Sequence, residues 1–330
     1  MSLQVELCGL RLRNPFIAAS GTFGYGVEYE GLLDLSVLGG LVSKGLYLEP
    51  RDGCATPRIV ETPAELASSD LVFVMVSTGK DLEEVCFGKG GVAAGGKGKA
   101  PKVVVDCSSI SVQESANCRA KLTALGVDFL AAPVSGNGKV VTAGKLSAVA
   151  SGPKSAFEVA KPYMLSFAPR GVSYVGEGEL SRICKIAHNV MLGVVIQNLA
   201  EITILAEKAG VPRHAFLEFM NNGAMGSMFT RYKSNAFVNL DWTTTFTPEL
   251  LRKDLDLGLE AGRKLDVPMP VTAATRESLQ AHFGAATLQP DPQAYLAKDF
   301  AATLETVALA AGIKLKPENV PVPTGLEAEE

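Results

Sequence analysis

Residues 102–132 read KVVVDCSSISVQESANCRAKLTALGVDFLAA. A valine-rich run from Lys102 to Asp106 predicts a strand, Val112 to Leu125 has helical spacing, and Phe129 to Ala132 predicts a second strand. Apolar runs of this kind, with a helix between them, describe parallel strands buried on both faces. Upstream the same order begins with a buried strand at Leu71 to Val76 and a helix from Asp81 to Val85. Downstream, Asn137 to Ser147 is expected to form a hairpin or strand-rich loop, before a helix near Lys154 to Met164 and a last strand at Gly171 to Val175. The alternation predicts a parallel sheet covered by helices.

Everything after Gly178 has helical spacing: a long segment from about Glu179 to Ala209, then Arg213 to Asn221, Phe229 to Asn235, Pro248 to Leu265, Pro270 to His282 and Pro292 to Ala311. That is an all-helical second domain. Lys314 to Glu330 is rich in proline and glutamate with few apolar residues, so a disordered tail is expected. At the other end, Gln4 to Cys8, Phe16 to Ala19 and Leu41 to Gly45 read as strands and Glu28 to Leu35 as a helix, one βαβ unit. The breakers Pro50, Gly53 and Pro57 separate this unit from the alternating strands and helices beyond it. The divisions expected are 1–62, 63–178, 179–312 and a tail at 313–330.

With 330 residues, 47% of them hydrophobic, the chain can bury a large core. A net charge of −4, with lysines and arginines scattered among acids, offers no footprint for nucleic acid. Cys8, Cys54, Cys86, Cys107, Cys118 and Cys184 are far apart, with no metal-ligand spacing and no secretory signal before them. No metal is expected, the cysteines read as reduced, and the expected compartment is cytoplasmic. The most apolar long run, Ile186 to Leu205, carries His188, Asn189, Gln197, Asn198 and Glu201, which would be costly in lipid. It reads as a buried helix rather than a membrane span.

Chemistry-bearing residues gather at strand and helix ends. Lys185 and Asn189 are four apart near the start of the long helix, so they project from one face, and Gly176 and Gly178 just upstream permit close backbone approach. Ser135-Gly136 follows a strand, at a sheet edge where open α/β folds bind ligands, and Asp106 to Ser111 ends the preceding strand toward the same crevice. Phe246-Thr247-Pro248 opens a helix that presents Lys253-Asp254.

In this order the motifs resemble the β-hydroxyacid dehydrogenase family, which includes 3-hydroxyisobutyrate dehydrogenases and tartronate semialdehyde reductases. The resemblance covers about 63–312. It implies an α/β fold: an incomplete or patched Rossmann-like parallel sheet followed by an all-α domain, with a long interdomain helix. It implies NADP or NAD as cofactor, and a small hydroxy acid or semialdehyde as substrate. Lys185 would be the general acid/base and Asn189 would orient the substrate. Ser135 and Gly136 would bind its carboxylate. Met75, Val76, Ser108, Ser109, Phe246 and Lys253 would line the cofactor. A homodimer or homotetramer would be the assembly. Hydride transfer with Lys185 exchanging the oxygen's proton is coherent chemistry. Val112 stands where the family has proline, and His188 where it commonly has a second asparagine.

The family should open with G-x-G-x-x-G, and no such fingerprint exists; Gly21, Gly24 and Gly26 have the wrong spacing. Instead Asn14-Pro15, Ala19 to Gly26, Ser43-Lys44-Gly45 and Leu48 to Ile59 resemble the opening of the heterodimeric-class, FMN-dependent dihydroorotate dehydrogenases, over about residues 3–63. A flavin barrel needs about eight βα units, and this fragment supplies at most two. The main expectation is therefore an NAD(P)-dependent dehydrogenase. The alternatives are a non-catalytic or cofactor-impaired chimera that keeps the dimerisation module, and an FMN-binding protein.

Overall fold

The structure is a computed structural model. It describes four N-terminal strands, β1 (Val5–Leu7), β2 (Leu10–Leu12), β3 (Ile17–Ala18) and β4 (Gly40–Leu41), together with residues 69–97 and 100–327. Then come β5 (Leu71–Val74), α1 (Gly79–Phe87), β6 (Val103–Asp106), α2 (Val112–Ala124), β7 (Asp128–Ala131), β8 (Val134–Ser135), α3 (Gly138–Thr142), β9 (Ser147–Ala150), α4 (Lys154–Phe167), β10 (Val172–Tyr174) and α5 (Leu180–Lys208). The chain divides into two compact units, Met1–Gly136 with Gly144–Lys185, and Asn137–Ala143 with Ile186–Glu330.

In the first unit β5, β6 and β7 form a parallel sheet in that order, with Val72 opposite Val104 and Val104 opposite Phe129. Every residue of β6 is buried. One face lies under Leu82 and Cys86 of α1 and Cys118 and Leu122 of α2; the other lies under Ala156, Phe157, Ala160 and Met164 of α4. Two covered faces explain why the valine run does not alternate. Both helices on the first face start with reciprocal capping, Thr78 with Asp81 and Ser111 with Glu114.

A second small sheet orders β8, β9 and β10, with β8 antiparallel to β9 and β9 parallel to β10, and a bridge joins Ala131 to Ser151. The hairpin or strand-rich loop expected over Asn137 to Ser147 is corrected: β8 and β9 do pair antiparallel, but a short helix, α3, joins them. Asn137 starts it, its side chain accepting from Val140 N–H at 3.1 Å.

At the N-terminus β1 pairs with β2 antiparallel, and β3 with β4 in parallel. A parallel pairing is what a βαβ crossing requires. The helix expected at Glu28 to Leu35 lies outside the described residues.

The second unit adds α6 (Arg213–Asn222), α7 (Met228–Asn239), α8 (Pro248–Lys264), α9 (Pro270–Ala286), α10 (Pro292–Leu296), a 3-10 turn (Phe300–Ala302) and α11 (Thr303–Ala310). Its core is built on Ile196, Leu199, Phe237, Leu255, Phe300 and Leu304. The single helix read over Pro292 to Ala311 is broken near Asp299, a second correction. There the backbone N–H groups of Asp299 and Phe300 donate to the carbonyls of Trp242 and Phe246 rather than back into a helix.

The disordered tail is the third correction. Residues 313–327 lie on the second unit, with Ile313, Leu315, Val320 and Val322 packed against its core. Glu318 accepts from the N–H groups of Arg213 (2.7 Å) and His214 (3.0 Å), supplying the cap that Pro212 cannot give α6. Low apolar content hid the fact that these four apolar residues have a place to dock. Among the described residues α5 alone is long and apolar enough to cross a membrane, and 44% of its most apolar window is buried in the protein.

Candidate functional site

In the first unit the carboxyl end of the parallel sheet is zipped together by one buried serine. The Ser108 hydroxyl accepts from Val76 N–H at 2.8 Å, and the Ser108 N–H donates to Asp106 Oδ1 at 3.0 Å. Ser108 is therefore buried and committed to joining the ends of β5 and β6, whereas Ser109 is exposed and Met75 is half exposed. Ser135 is half-buried, and Gly136 has φ 149°, a backbone that side chains rarely adopt.

The start of α5 is fixed to that same end of the sheet. Arg182 and Asp106, both fully buried, form an ion pair; Arg182 also donates to the Ser108 carbonyl and, through Nε, to Ser115 Oγ at 3.1 Å. Ser115 donates to Glu179, which pairs with Arg119, and Arg119 donates to the carbonyls of Phe129 and Gly178. Ser181 Oγ donates to the Ala131 carbonyl at 2.8 Å. Half-buried Lys185 follows one turn later.

In the second unit Asn189 is buried, and its Nδ2 donates to Asp254 Oδ2 at 2.7 Å while its Oδ1 lies 3.0 Å from His188 Nδ1. The preceding residue of α8, Lys253, places Nζ 3.5 Å from the other Asp254 oxygen and keeps 43% of its side chain exposed. α5 and α8 approach this closely because Gly258 meets Val190, and Gly193 meets Leu251 and Leu255. Phe246 packs edge-on to Phe300, with centroids 5.6 Å apart. Thr247 caps α8 with Pro248 in its first turn, as the sequence implied.

Within their own units, then, the structure joins Val76 with Ser108, and Asn189 with Lys253 through Asp254; Lys185 and Asn189 share one helix. Sequence reasoning gave Asp254 no role, yet it is buried and holds Asn189. It also passed over Arg182. The one available signal was a carboxylate ending a wholly apolar strand, Val103 to Asp106, which requires a buried partner.

Residues 48–176 match the family described as the NAD binding domain of 6-phosphogluconate dehydrogenase, and 180–296 the NAD-binding family of NADP-dependent 3-hydroxyisobutyrate dehydrogenase. Together with the parallel sheet and helical unit, these matches place the chain in the NAD(P)-dependent β-hydroxyacid dehydrogenase family. Among its relatives, the 2-(hydroxymethyl)glutarate dehydrogenase of Eubacterium barkeri is 32% identical over 208 residues, 63% of this chain and 68% of that protein. The crystal structure of a Salmonella typhimurium 3-hydroxyisobutyrate dehydrogenase shares the fold, with TM-score 0.66 at 23% identity over 88% of this chain and 98% of that one. Residues 2–70 match the dihydroorotate dehydrogenase family instead. There the chain is 52% identical, over 67 residues, to the catalytic subunit of dihydroorotate dehydrogenase B (NAD(+)) from Geotalea daltonii, which is 20% of this chain and 22% of that protein.

The described residues fit part of a dinucleotide site. β5 and β6 are neighbouring parallel strands whose carboxyl ends carry the exposed Met75 and Ser109, the edge at which open α/β sheets bind ligands. The glycine fingerprint for the pyrophosphate is absent from the sequence.

Proposed function

We propose that the protein interconverts a small hydroxy acid and its carbonyl partner, with Lys185 as general acid/base. The bound nicotinamide would supply or accept the hydride. Lys185 would take the hydroxyl proton as the alcohol is oxidised and return it to the carbonyl oxygen in reduction. Asn189, held by Asp254, would orient the substrate, and Ser135 with the Gly136 backbone would receive its carboxylate. Met75, Val76, Ser109, Phe246 and Lys253 would face the cofactor; Ser108, expected to do so as well, is instead buried and holds Val76. The observation that carries the reading is the anchored start of α5, which sets a half-buried lysine one turn beyond an ion pair at the sheet's carboxyl end. Replacing Lys185→Ala should lower kcat about a hundredfold or more while leaving the fold intact. Turnover equal to wild type in a steady-state assay with NADH or NADPH would remove Lys185 from the role.

A second reading, a chimera impaired in cofactor binding, is favoured by one specific observation: residues 2–70 match another enzyme where the pyrophosphate loop belongs. Titration with NADH and NADPH separates the two, since the impaired form shows neither fluorescence change nor thermal shift. We also infer a cytoplasmic homodimer or homotetramer. Exposed Met191 and Leu205 on α5 and Phe219 on α6 support the assembly, and free Cys86, Cys107, Cys118 and Cys184 support the compartment.

A further inference from the structure

We propose that Arg182, through Asp106, is the positioning residue for Lys185, and that one buried guanidinium sets the spacing between the proton-carrying helix and the strand ends expected to hold the cofactor. The proposal rests on the acid/base reading of Lys185.

An ion pair removed from water gains little over two well-packed apolar side chains, so stability alone is a poor reason to keep one. Geometry is a better one. The guanidinium is a rigid fork with five donors, and here its three nitrogens reach three different places: Asp106 on β6, the Ser108 carbonyl just after β6, and Ser115 on α2. Ser108 is also the residue whose hydroxyl holds Val76, so the same hub fixes the turns after β5 and β6. Ser115 passes the connection to Glu179 and Arg119, and from there to the carbonyls of Phe129 on β7 and Gly178.

On the α5 side these contacts fall on residues 178–182, immediately before Lys185. A helix rises about 1.5 Å per residue and moves as a rod, so any slide of its first turn carries Lys185 by the same amount. Reacting groups tolerate little of this; a misplacement of about 1 Å can cost about a hundredfold in rate. A lysine at position 182 would keep the charge, but its single nitrogen cannot span the three acceptors.

The test uses the full-length chain and three variants, Arg182→Lys, Asp106→Asn and the apolar pair Arg182→Met with Asp106→Leu. Each is measured for kcat, KM, Tm and hydrogen exchange of the α5 amides at 180–186. Arg182→Lys is expected to lower kcat at least about tenfold with KM for the hydroxy acid changed less than about threefold. It should also speed exchange at 180–186. The apolar pair leaves no uncompensated charge, though it removes the partners of the Ser108 N–H and carbonyl, and is expected to fold with a lowered Tm and to keep the low kcat and fast exchange. Wild-type kcat and exchange in the apolar pair would show that the ion pair only packs, and would overturn the proposal even if the single variants fail to fold. Lys185→Ala separates this result from the reading beneath it. If that variant turns over normally the acid/base role is lost, while unchanged exchange in the apolar pair would still sink the positioning role by itself.

Discussion

His282 is wholly buried in the helical unit, its ring tilted against Tyr295 at 4.9 Å and its Nδ1 2.8 Å from Thr306 Oγ1. Its Nε2 has no hydrogen-bond partner among the described residues, and burial pulls its pKa down from 6.5 to about 4. Between those values the unfolded chain binds a proton that the folded one refuses. The stabilisation is therefore complete above pH 6.5 and is lost as pH falls toward 4, by about 3 kcal/mol in all. Urea midpoints for wild type and His282→Phe should diverge in this window, the variant showing the flatter curve; parallel curves would clear His282 as the cause. Residue identities of this kind were only partly legible. Lys185 and Asn189 could be paired from a four-residue spacing because a helix fixes what that spacing means. Asp106 and Arg182 are 76 apart and Asn189 and Asp254 are 65 apart, so no local rule could join them.

α5 and α8 owe their close crossing to glycine. A Cβ at Gly258 would lie 2.2 Å from Val190 Cγ2, and one at Gly193 would lie 2.9 Å from Leu251 and Leu255. Gly258→Ala should therefore force the helices apart at a cost of about 1–3 kcal/mol, visible as a Tm lower by several degrees, and should loosen Asn189 from Asp254 one turn away. A Tm equal to wild type would mean that Val190 simply turns aside. Elements were the most legible scale. Thr247-Pro248 opened α8 and glycine or proline punctuated most of the other boundaries, because capping and backbone restriction act locally. The reading failed where tertiary partners took over the backbone: at Asp299, whose carboxylate accepts from Lys233 and Thr245, and at 137–147, where a helix joins two paired strands.

At the scale of the molecule, alternation of strand and helix followed by helix alone was enough to read an α/β unit and an all-helical one. Hydrophobic period and order survive in any such chain. The likeness of residues 2–70 to the dihydroorotate dehydrogenases was legible for a different reason, since glycine- and proline-bearing motifs are specific over few residues. What composition could not reveal was the strap at 313–327, whose affinity resides in a few contacts. Glu318 binds two backbone N–H groups of α6 and the His214 ring, and the Lys316 carbonyl accepts from buried Arg213. Glu318→Ala should cost about 1–3 kcal/mol and speed hydrogen exchange in the first turn of α6, with α9 unaffected; an unchanged denaturation midpoint would show that the strap is only draped there. The same strap dictates a timetable. Arg213 finds Glu207, Phe237 and Val238 nearby, but its Lys316 acceptor lies 103 residues further along the chain. That contact, like the docking of Ile313, Leu315, Val320 and Val322 on the core, forms only once the far segment emerges during synthesis. The helical unit therefore closes late, and a pause in translation between α6 and the strap would leave its apolar interior open to chaperones or to aggregation.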